Sequence, residues 1–186
     1  MKLEDKLWKT RKSRINASER LKFNDLVSQM LLAYYSFFII TVTILDIKDD
    51  TSNYEILTLI LSILILVVSV FIFAMNYKER SLKLQNTYIK IEKLLRKLSN
   101  EQDESKISKI ETEYDEILEC SENHNSCDYL QILFEVRNDE KYADVNPPFT
   151  KTSWVSFLWC KIKKIIFIFA LFMLPIITLF CMVEVV

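Results

Sequence analysis

Three uncharged apolar runs constrain this chain more than any other feature of its sequence. They cover Leu26–Leu45, Ile56–Ala74 and Ile165–Val183, which are 20, 19 and 19 residues long. A helix needs about 20 apolar residues to cross the hydrocarbon core of a bilayer. Three buried helices of a soluble protein would need other segments to cover them, and the rest of the chain is too charged for that. The runs therefore predict three membrane-spanning helices, the third kinked at Pro175.

The chain also lacks glycine entirely and has only three prolines among its 186 residues. Tight turns, bulges and phosphate-binding loops usually require glycine. Its absence excludes a glycine-rich nucleotide-binding fold and favours long helices with few connections. We therefore expect an all-α membrane protein with an N-terminal amphipathic helix, a two-span hairpin, a cytoplasmic helical hairpin and a third, C-terminal span.

The basic residues that flank the runs predict one orientation in the membrane. Residues 1–25 hold eight Lys and Arg side chains, whereas residues 46–55 hold four acidic side chains and one Lys. Basic residues also follow the second run and precede the third. Because Lys and Arg remain on the cytoplasmic side, the N-terminus and residues 75–164 are predicted to be cytoplasmic. The acidic loop and the C-terminus are predicted to lie outside.

The sequence predicts a division of the chain near residue 145. Residues 1–145 comprise an amphipathic lead-in over 1–25, the spans 26–45 and 56–74, and cytoplasmic helices over 75–145. Residues 146–186 comprise a linker with Pro147 and Pro148 and the third span, 165–183. Trp154 and Trp159 are predicted to mark the membrane interface before that span.

Within the cytoplasmic segment, the apolar periodicity predicts three helices. Residues 76–98 form a basic helix that is expected to continue from the second span as one long helix. After a break at residues 99–105, an acidic helix places Ile107, Ile110 and Tyr114 on one face, which favours a hairpin with the basic helix. A third, short helix is predicted from Asp128.

The lead-in carries four side chains that could face either lipid or protein. Trp8 would lie at the level of the lipid headgroups while Arg11, Arg14 and Arg20 contact lipid phosphates. Alternatively, the same helix packs on the cytoplasmic helices and its arginines pair with their acidic faces. The sequence leaves both alternatives open.

Polar residues form a stripe on each of the first two spans. Such a stripe either allows close helix packing with hydrogen bonds, which is the commoner explanation, or lines a water-filled pore in an oligomer. Since no charged residue lies within a run, a carboxylate ion relay is not supported. The candidate residues for pore lining or helix packing are Gln29, Ser36 and Thr43 in the first span and Thr58, Ser62 and Ser69 in the second.

The sequence carries no arrangement that indicates catalysis. It has one histidine, and neither a Ser-His-Asp set nor an HExxH motif. Cys120, His124 and Cys127 are zinc-type ligands close together in the chain, but no fourth ligand lies nearby. We therefore expect reduced cysteines in a cytosolic loop, no metal, no cofactor and no enzyme. Direct binding of nucleic acid is not expected either, since the basic segments flank membrane spans.

The first 145 residues resemble a known family. Residues 5–145 comprise, in order, a basic lead-in, a first span, a short acidic loop, a very apolar span and a long basic helix. The most distinctive residues of this segment are Arg11, Arg14, Ala17, Glu19, Arg20, Leu21, Tyr35, Ser36 and Phe37. This pattern resembles the SLATT family of SMODS- and SLOG-associating two-transmembrane effector domains. The subtype resembles the one encoded beside reverse transcriptases, and the third span departs from the two-span pattern.

The resemblance implies a function that composition does not show. Proteins of this family are predicted effectors of bacterial anti-phage conflict systems, which oligomerise and perforate or depolarise the inner membrane when a partner senses infection. The expected partners are the bilayer, further copies of the chain and a sensor encoded nearby, which for this subtype is a reverse transcriptase. The alternative is a non-conducting membrane anchor or scaffold for a cytoplasmic partner.

Overall fold

The computed structural model describes residues 2–48, 55–101, 103–119, 125–137 and 149–185. These parts of the chain form α-helices and contain no strand, which confirms the all-α fold class. The helices are α1 (Leu3–Lys48), α2 (Glu55–Met75), α3 (Tyr77–Ser99), α4 (Glu104–Glu119), α5 (Ser126–Val136) and α6 (Lys151–Val185).

Helix α1 joins the basic lead-in and the first apolar run without interruption. It is 46 residues long, which corresponds to about 69 Å at the usual helical rise. The segment contains neither glycine nor proline, so nothing in its backbone chemistry ends the helix where the charged part gives way to the apolar part.

The expectation of one long helix from the second span into residues 76–98 is wrong at one position. Helix α2 ends at Met75 and α3 begins at Tyr77. Between them Asn76 adopts a φ of 48°, in the left-handed region, and its backbone N–H donates to the Phe73 carbonyl at 3.1 Å. Asparagine enters this region more readily than most residues, so a single residue can interrupt the helix without glycine.

The chain folds into two compact units, each built from separate parts of the sequence. Unit 1 comprises Met1–Lys22 and Lys78–Lys161, and unit 2 comprises Phe23–Tyr77 and Ile162–Val186. The division predicted near residue 145 is linear, whereas each of these units combines an early and a late part of the chain.

Unit 1 has a core formed by α1, α3 and α4. Leu7 and Ile91 are fully buried there, with Leu94, Ile110 and Tyr114 beside them. The burial of Ile110 and Tyr114 confirms the apolar face predicted for the acidic helix. In α1 the side chains of residues 13, 14, 16, 17 and 18 are also buried. Because these positions point in most directions around a helix, this part of α1 is covered by protein on several sides.

In unit 2, α1 packs against α6. The rings of Tyr34 and Phe172 lie 5.4 Å apart, and the ammonium group of Lys164 lies 4.1 Å from the ring centroid of Phe23. The segments Leu3–Ile44 and Thr58–Ser99 each contain a stretch long and apolar enough to cross a membrane, and these stretches are 6% and 0% buried. The third apolar run lies inside α6, and its crossing of the membrane remains a prediction.

Candidate functional site

One face of α1 in unit 2 presents polar and small side chains to its surroundings. Gln29, Ser36 and Thr43 are all exposed, and so are Ala33 and Ile40 between them. The spacings of four and three residues place these five positions in one row along the helix. None of the described residues covers this row, so the polar stripe predicted from the sequence lies on an open helix face.

The polar groups of this row are bonded within their own helix. Ser36 donates to the Leu32 carbonyl at 2.8 Å, and Thr43 donates to the carbonyl four residues before it at 2.9 Å. Gln29 donates from Nε2 to the carboxylate of Asp25 at 2.9 Å. Since a hydroxyl bonded to the preceding turn needs no water, the serine and threonine can face hydrocarbon or another helix.

The candidate residues of α2 also bond within their own helix. Ser62 donates to the Thr58 carbonyl, and Ser69 donates to the Leu66 carbonyl, both at 2.7 Å. Ser62 is exposed, whereas Thr58 and Ser69 are half-buried. The hydrogen bonds donated by Ser36, Thr43, Ser62 and Ser69 therefore stay within their own helices and do not link α1 to α2.

The basic residues of the lead-in contact other helices of unit 1. Arg11 forms an ion pair with Glu92 of α3, and Arg20 binds Asp128 of α5. Arg14 is 4% exposed and Trp8 is half-buried. These contacts correspond to the second sequence-based alternative, in which the lead-in packs on the cytoplasmic helices.

Asp128 is the main polar contact of unit 1 that the sequence analysis did not identify. Its side chain is 4% exposed and accepts two parallel bonds from Arg20, Nε to Oδ1 at 3.0 Å and Nη2 to Oδ2 at 3.1 Å. Its Oδ2 also accepts the backbone N–H of Asn125 at 3.0 Å, as part of the cap of α5. The pattern Asn-x-x-Asp indicates a helix start, but nothing in it indicates an arginine 108 residues earlier in the chain.

A pair of serines brings α1 and α3 close together. Ser18 donates to the Ser81 carbonyl at 3.0 Å, and Ser81 donates to the Ser18 carbonyl at 3.1 Å. Both side chains are 1% exposed. Small side chains allow two helix backbones to approach closely, so these serines permit the close contact between α1 and α3.

The expectation of reduced cysteines is wrong for Cys127, which forms a disulfide bond with Cys160. The two residues are 33 positions apart, and the fold brings them together by packing α5 against the first part of α6. Cys120 and His124, the other two zinc-type ligands, lie outside the described residues. Within the described parts of the chain, no three His, Cys, Asp or Glu side chains form a group that could hold a metal.

These features are those of an all-α membrane protein with two helices long and apolar enough to cross a membrane and with a charged helical unit. The chain belongs to the SMODS and SLOG-associating 2TM effector domain family 5, whose model matches residues 1–182. This is a family of two-transmembrane effector domains. No match was found among curated proteins or among solved structures.

The family match confirms the resemblance to SLATT effector domains and extends it. The matched range continues beyond residue 145 and includes most of α6. Helix α6 therefore belongs to the part of the chain that the family model describes. The association with a reverse transcriptase remains a prediction.

Proposed function

We propose that this protein is a pore-forming effector of a bacterial anti-phage conflict system. Several copies assemble in the inner membrane and depolarise it when a partner protein senses infection. The observation that carries the proposal is the open row of Gln29, Ser36 and Thr43 along the membrane part of α1. A polar row on an exposed helix face is better covered by another helix, or by water in a lumen, than by lipid tails.

A second copy of α1 is a suitable partner for this row. The alternating spacing of four and three residues is that of a coiled-coil seam. Ala33 and Ser36 are small enough for two backbones to approach, and Gln29 can hydrogen-bond to its equivalent in another copy. A lumen requires several copies, since one chain contributes too few helices to enclose one.

Unit 1 is proposed as the cytoplasmic receiver of the activating signal. In the proposed topology the N-terminus and residues 75–164 lie in the cytoplasm, and the C-terminus lies outside. The surface charges of unit 1 suit a protein partner, because α4 exposes Asp115, Glu116 and Glu119 while α3 exposes Lys90 and Lys93. The proposed partner is a sensor encoded nearby, with a reverse transcriptase as the candidate.

One observation favours a second function, that of a non-conducting membrane anchor. The hydroxyls of Ser36 and Thr43 are already bonded to their own backbone, so the row can pack against another helix without enclosing water. In this alternative, the stripe joins copies of a scaffold and no ions pass.

Membrane potential distinguishes the two functions. The potential is recorded in bacteria that express the chain from an inducible promoter, with and without its genomic neighbour. We expect rapid depolarisation before growth stops, and loss of this effect when Ser36 and Ser62 are replaced by leucine. The matched control is Phe37→Leu, which changes an exposed side chain next to the row (70% exposed) without removing a polar group.

Each variant must be recovered from the membrane fraction in the same amount as the unaltered protein. An unchanged potential under activating conditions, with the protein in the membrane, would support the anchor. Depolarisation that Ser36→Leu and Ser62→Leu leave intact would contradict the role of the polar stripes.

A further inference from the structure

The Cys127–Cys160 bond is a covalent link between two helices of unit 1. Cys127 lies in the first turn of α5 and Cys160 lies in the first third of α6. The proposed topology places both in the cytoplasm, where thiol reductants keep most cysteines reduced. A disulfide in that compartment is usually transient and sensitive to redox conditions.

The other contacts between α5 and α6 are non-covalent. The rings of Phe134 and Phe157 stack with centroids 4.6 Å apart, and Trp154 lies edge-on to Phe134 at 5.4 Å. Lys161 donates from Nζ to Oε1 of Gln131 at 3.1 Å, on the exposed surface. These contacts hold the two helices near each other when the disulfide is open, but they allow the helices to separate.

Helix α5 has a second, independent attachment. Asp128, the residue after Cys127, is buried and bound to Arg20 of α1. Opening the disulfide therefore leaves α5 fixed to α1 and removes the only covalent attachment of the first part of α6 to α5 among the described residues. Since α6 is one helix from Lys151 to Val185, the released segment continues directly into the predicted third span.

Neither cysteine of the pair is fully buried. Cys127 and Cys160 are half-buried and not part of the closed core. A reductant must bring its thiolate to one of the two sulfurs, and a disulfide outside the closed core is easier to approach than a buried one. Neighbouring Asp128, in contrast, is closed off from water.

We infer that Cys127 and Cys160 form a reversible redox site, which fastens the first part of α6 to α5 when oxidised and releases it when reduced. The inference rests on the proposed cytoplasmic placement of unit 1. It adds a redox input to the effector that is separate from the sensor partner.

The chemistry is thiol–disulfide exchange with a cellular dithiol of the thioredoxin class. A thiolate of the reductant attacks one sulfur, the Cys127–Cys160 bond breaks, and a mixed disulfide forms as the other cysteine leaves as a thiolate. The second thiol of the reductant then displaces the bound cysteine. Two electrons and two protons pass to the protein, and the reductant becomes a disulfide. A disulfide oxidant of the same class reverses the step.

Hydrogen exchange on the purified full-length protein tests whether the bond controls α6. Cys120 and Cys181 are replaced by serine so that only this pair reacts. We expect a dithiol reductant to raise the exchange rate of residues 151–161 at least about tenfold, while α3 and α4 are unchanged. Cys127→Ser is expected to show the faster rate with and without reductant. Equal rates for the oxidised and reduced forms would overturn the inference.

Thiol trapping in living cells tests whether the site is reversible. We expect a membrane-permeant alkylating reagent to label both cysteines in unstressed cells, and a thiol oxidant to protect them within minutes. A pair that stays oxidised in unstressed cells would be a permanent structural link and would overturn the inference. The membrane potential of the same cells is measured separately. The redox inference can therefore be rejected without rejecting the pore proposal.

Discussion

The carboxylate of Asp128 satisfies two separate parts of unit 1 at once. It closes the first turn of α5 by accepting the N–H of Asn125, and it neutralises the guanidinium of Arg20. A buried charge is tolerated only when its lone pairs are satisfied by such donors. The residue therefore attaches α5 to α1 in a fixed orientation.

Removing this carboxylate is expected to destabilise unit 1 strongly. Asp128→Ala leaves a partly buried arginine without its partner and removes a helix cap, and we expect a loss of roughly 3 kcal/mol. The measurement is the free energy of unfolding in detergent, followed by circular dichroism. The matched control is Glu113→Ala, since the Glu113–Lys97 ion pair is 49% and 57% exposed and contributes about 1 kcal/mol or less. Equal losses in the two variants would refute the role given to Asp128.

The arginines of the lead-in are recognisable in the sequence as candidate contact residues, but the particular carboxylates that bind them are not. One expectation was that these arginines contact acidic side chains of other helices instead of lipid phosphates. Arg11 does pair with an acidic side chain, Glu92, which lies on the otherwise basic helix α3. The carboxylate that binds Arg20 is that of Asp128 in the short helix α5, and the charge pattern of α5 does not indicate an arginine partner. Which residues meet depends on how the helices are aligned, and that information is not local in the sequence.

At the scale of elements, α6 is notable because it passes through Pro175 and remains one helix. Proline lacks an N–H, so the Leu171 carbonyl four residues earlier loses its usual helical donor. Tyr35 of α1 donates its hydroxyl to this carbonyl at 2.8 Å. In a lipid environment an unsatisfied carbonyl is costly, and a neighbouring helix commonly supplies the missing donor.

This arrangement predicts a coupling between Tyr35 and Pro175. Tyr35→Phe is expected to lower stability by about 0.6–1.7 kcal/mol, the range for hydrogen bonds between membrane helices. In a Pro175→Ala background the helix regains its own donor, so the same change should have little effect. The coupling energy is obtained from the unfolding, in mixed micelles, of the unaltered protein, the two single variants and the double variant.

Tyr34→Phe serves as the control for this experiment, because Tyr34 contacts Phe172 through its ring. If Tyr35→Phe is equally costly with proline and with alanine at position 175, the hydroxyl does not compensate for the proline.

The elements themselves were largely predictable, and their ends less so. The apolar runs and the three-to-four-residue periodicity predicted the helices of both units, because helix formation depends on neighbours along the chain. The break at Asn76 was missed. It depends on one residue in a left-handed conformation, which asparagine permits but does not require.

The number of membrane crossings in the complete fold depends on the third apolar run. The family is described as having two transmembrane helices, while the sequence predicts a third. Basic residues flank the third run on one side only, since Lys161, Lys163 and Lys164 precede it and Glu184 follows it. This asymmetry favours a crossing that ends outside.

A fusion of alkaline phosphatase to residue 186 tests the third crossing, because the enzyme is active only outside the inner membrane. We expect high activity for this fusion. A fusion at residue 137, after α5, should be inactive and serves as the cytoplasmic control. An inactive fusion at residue 186, with the protein intact in the membrane, would mean that α6 does not cross.

Local features of the sequence are enough to predict the class of this protein. Apolar runs of membrane length, the absence of glycine and the distribution of basic residues are properties of single segments, and they predicted an all-α membrane protein. The pairs of distant residues that meet are visible only in the folded chain: Arg20 with Asp128, 108 residues apart, Ser18 with Ser81, and Cys127 with Cys160. This difference arises because a helix forms from contacts within a few residues, whereas the packing of one helix on another depends on side-chain shape along their whole shared length.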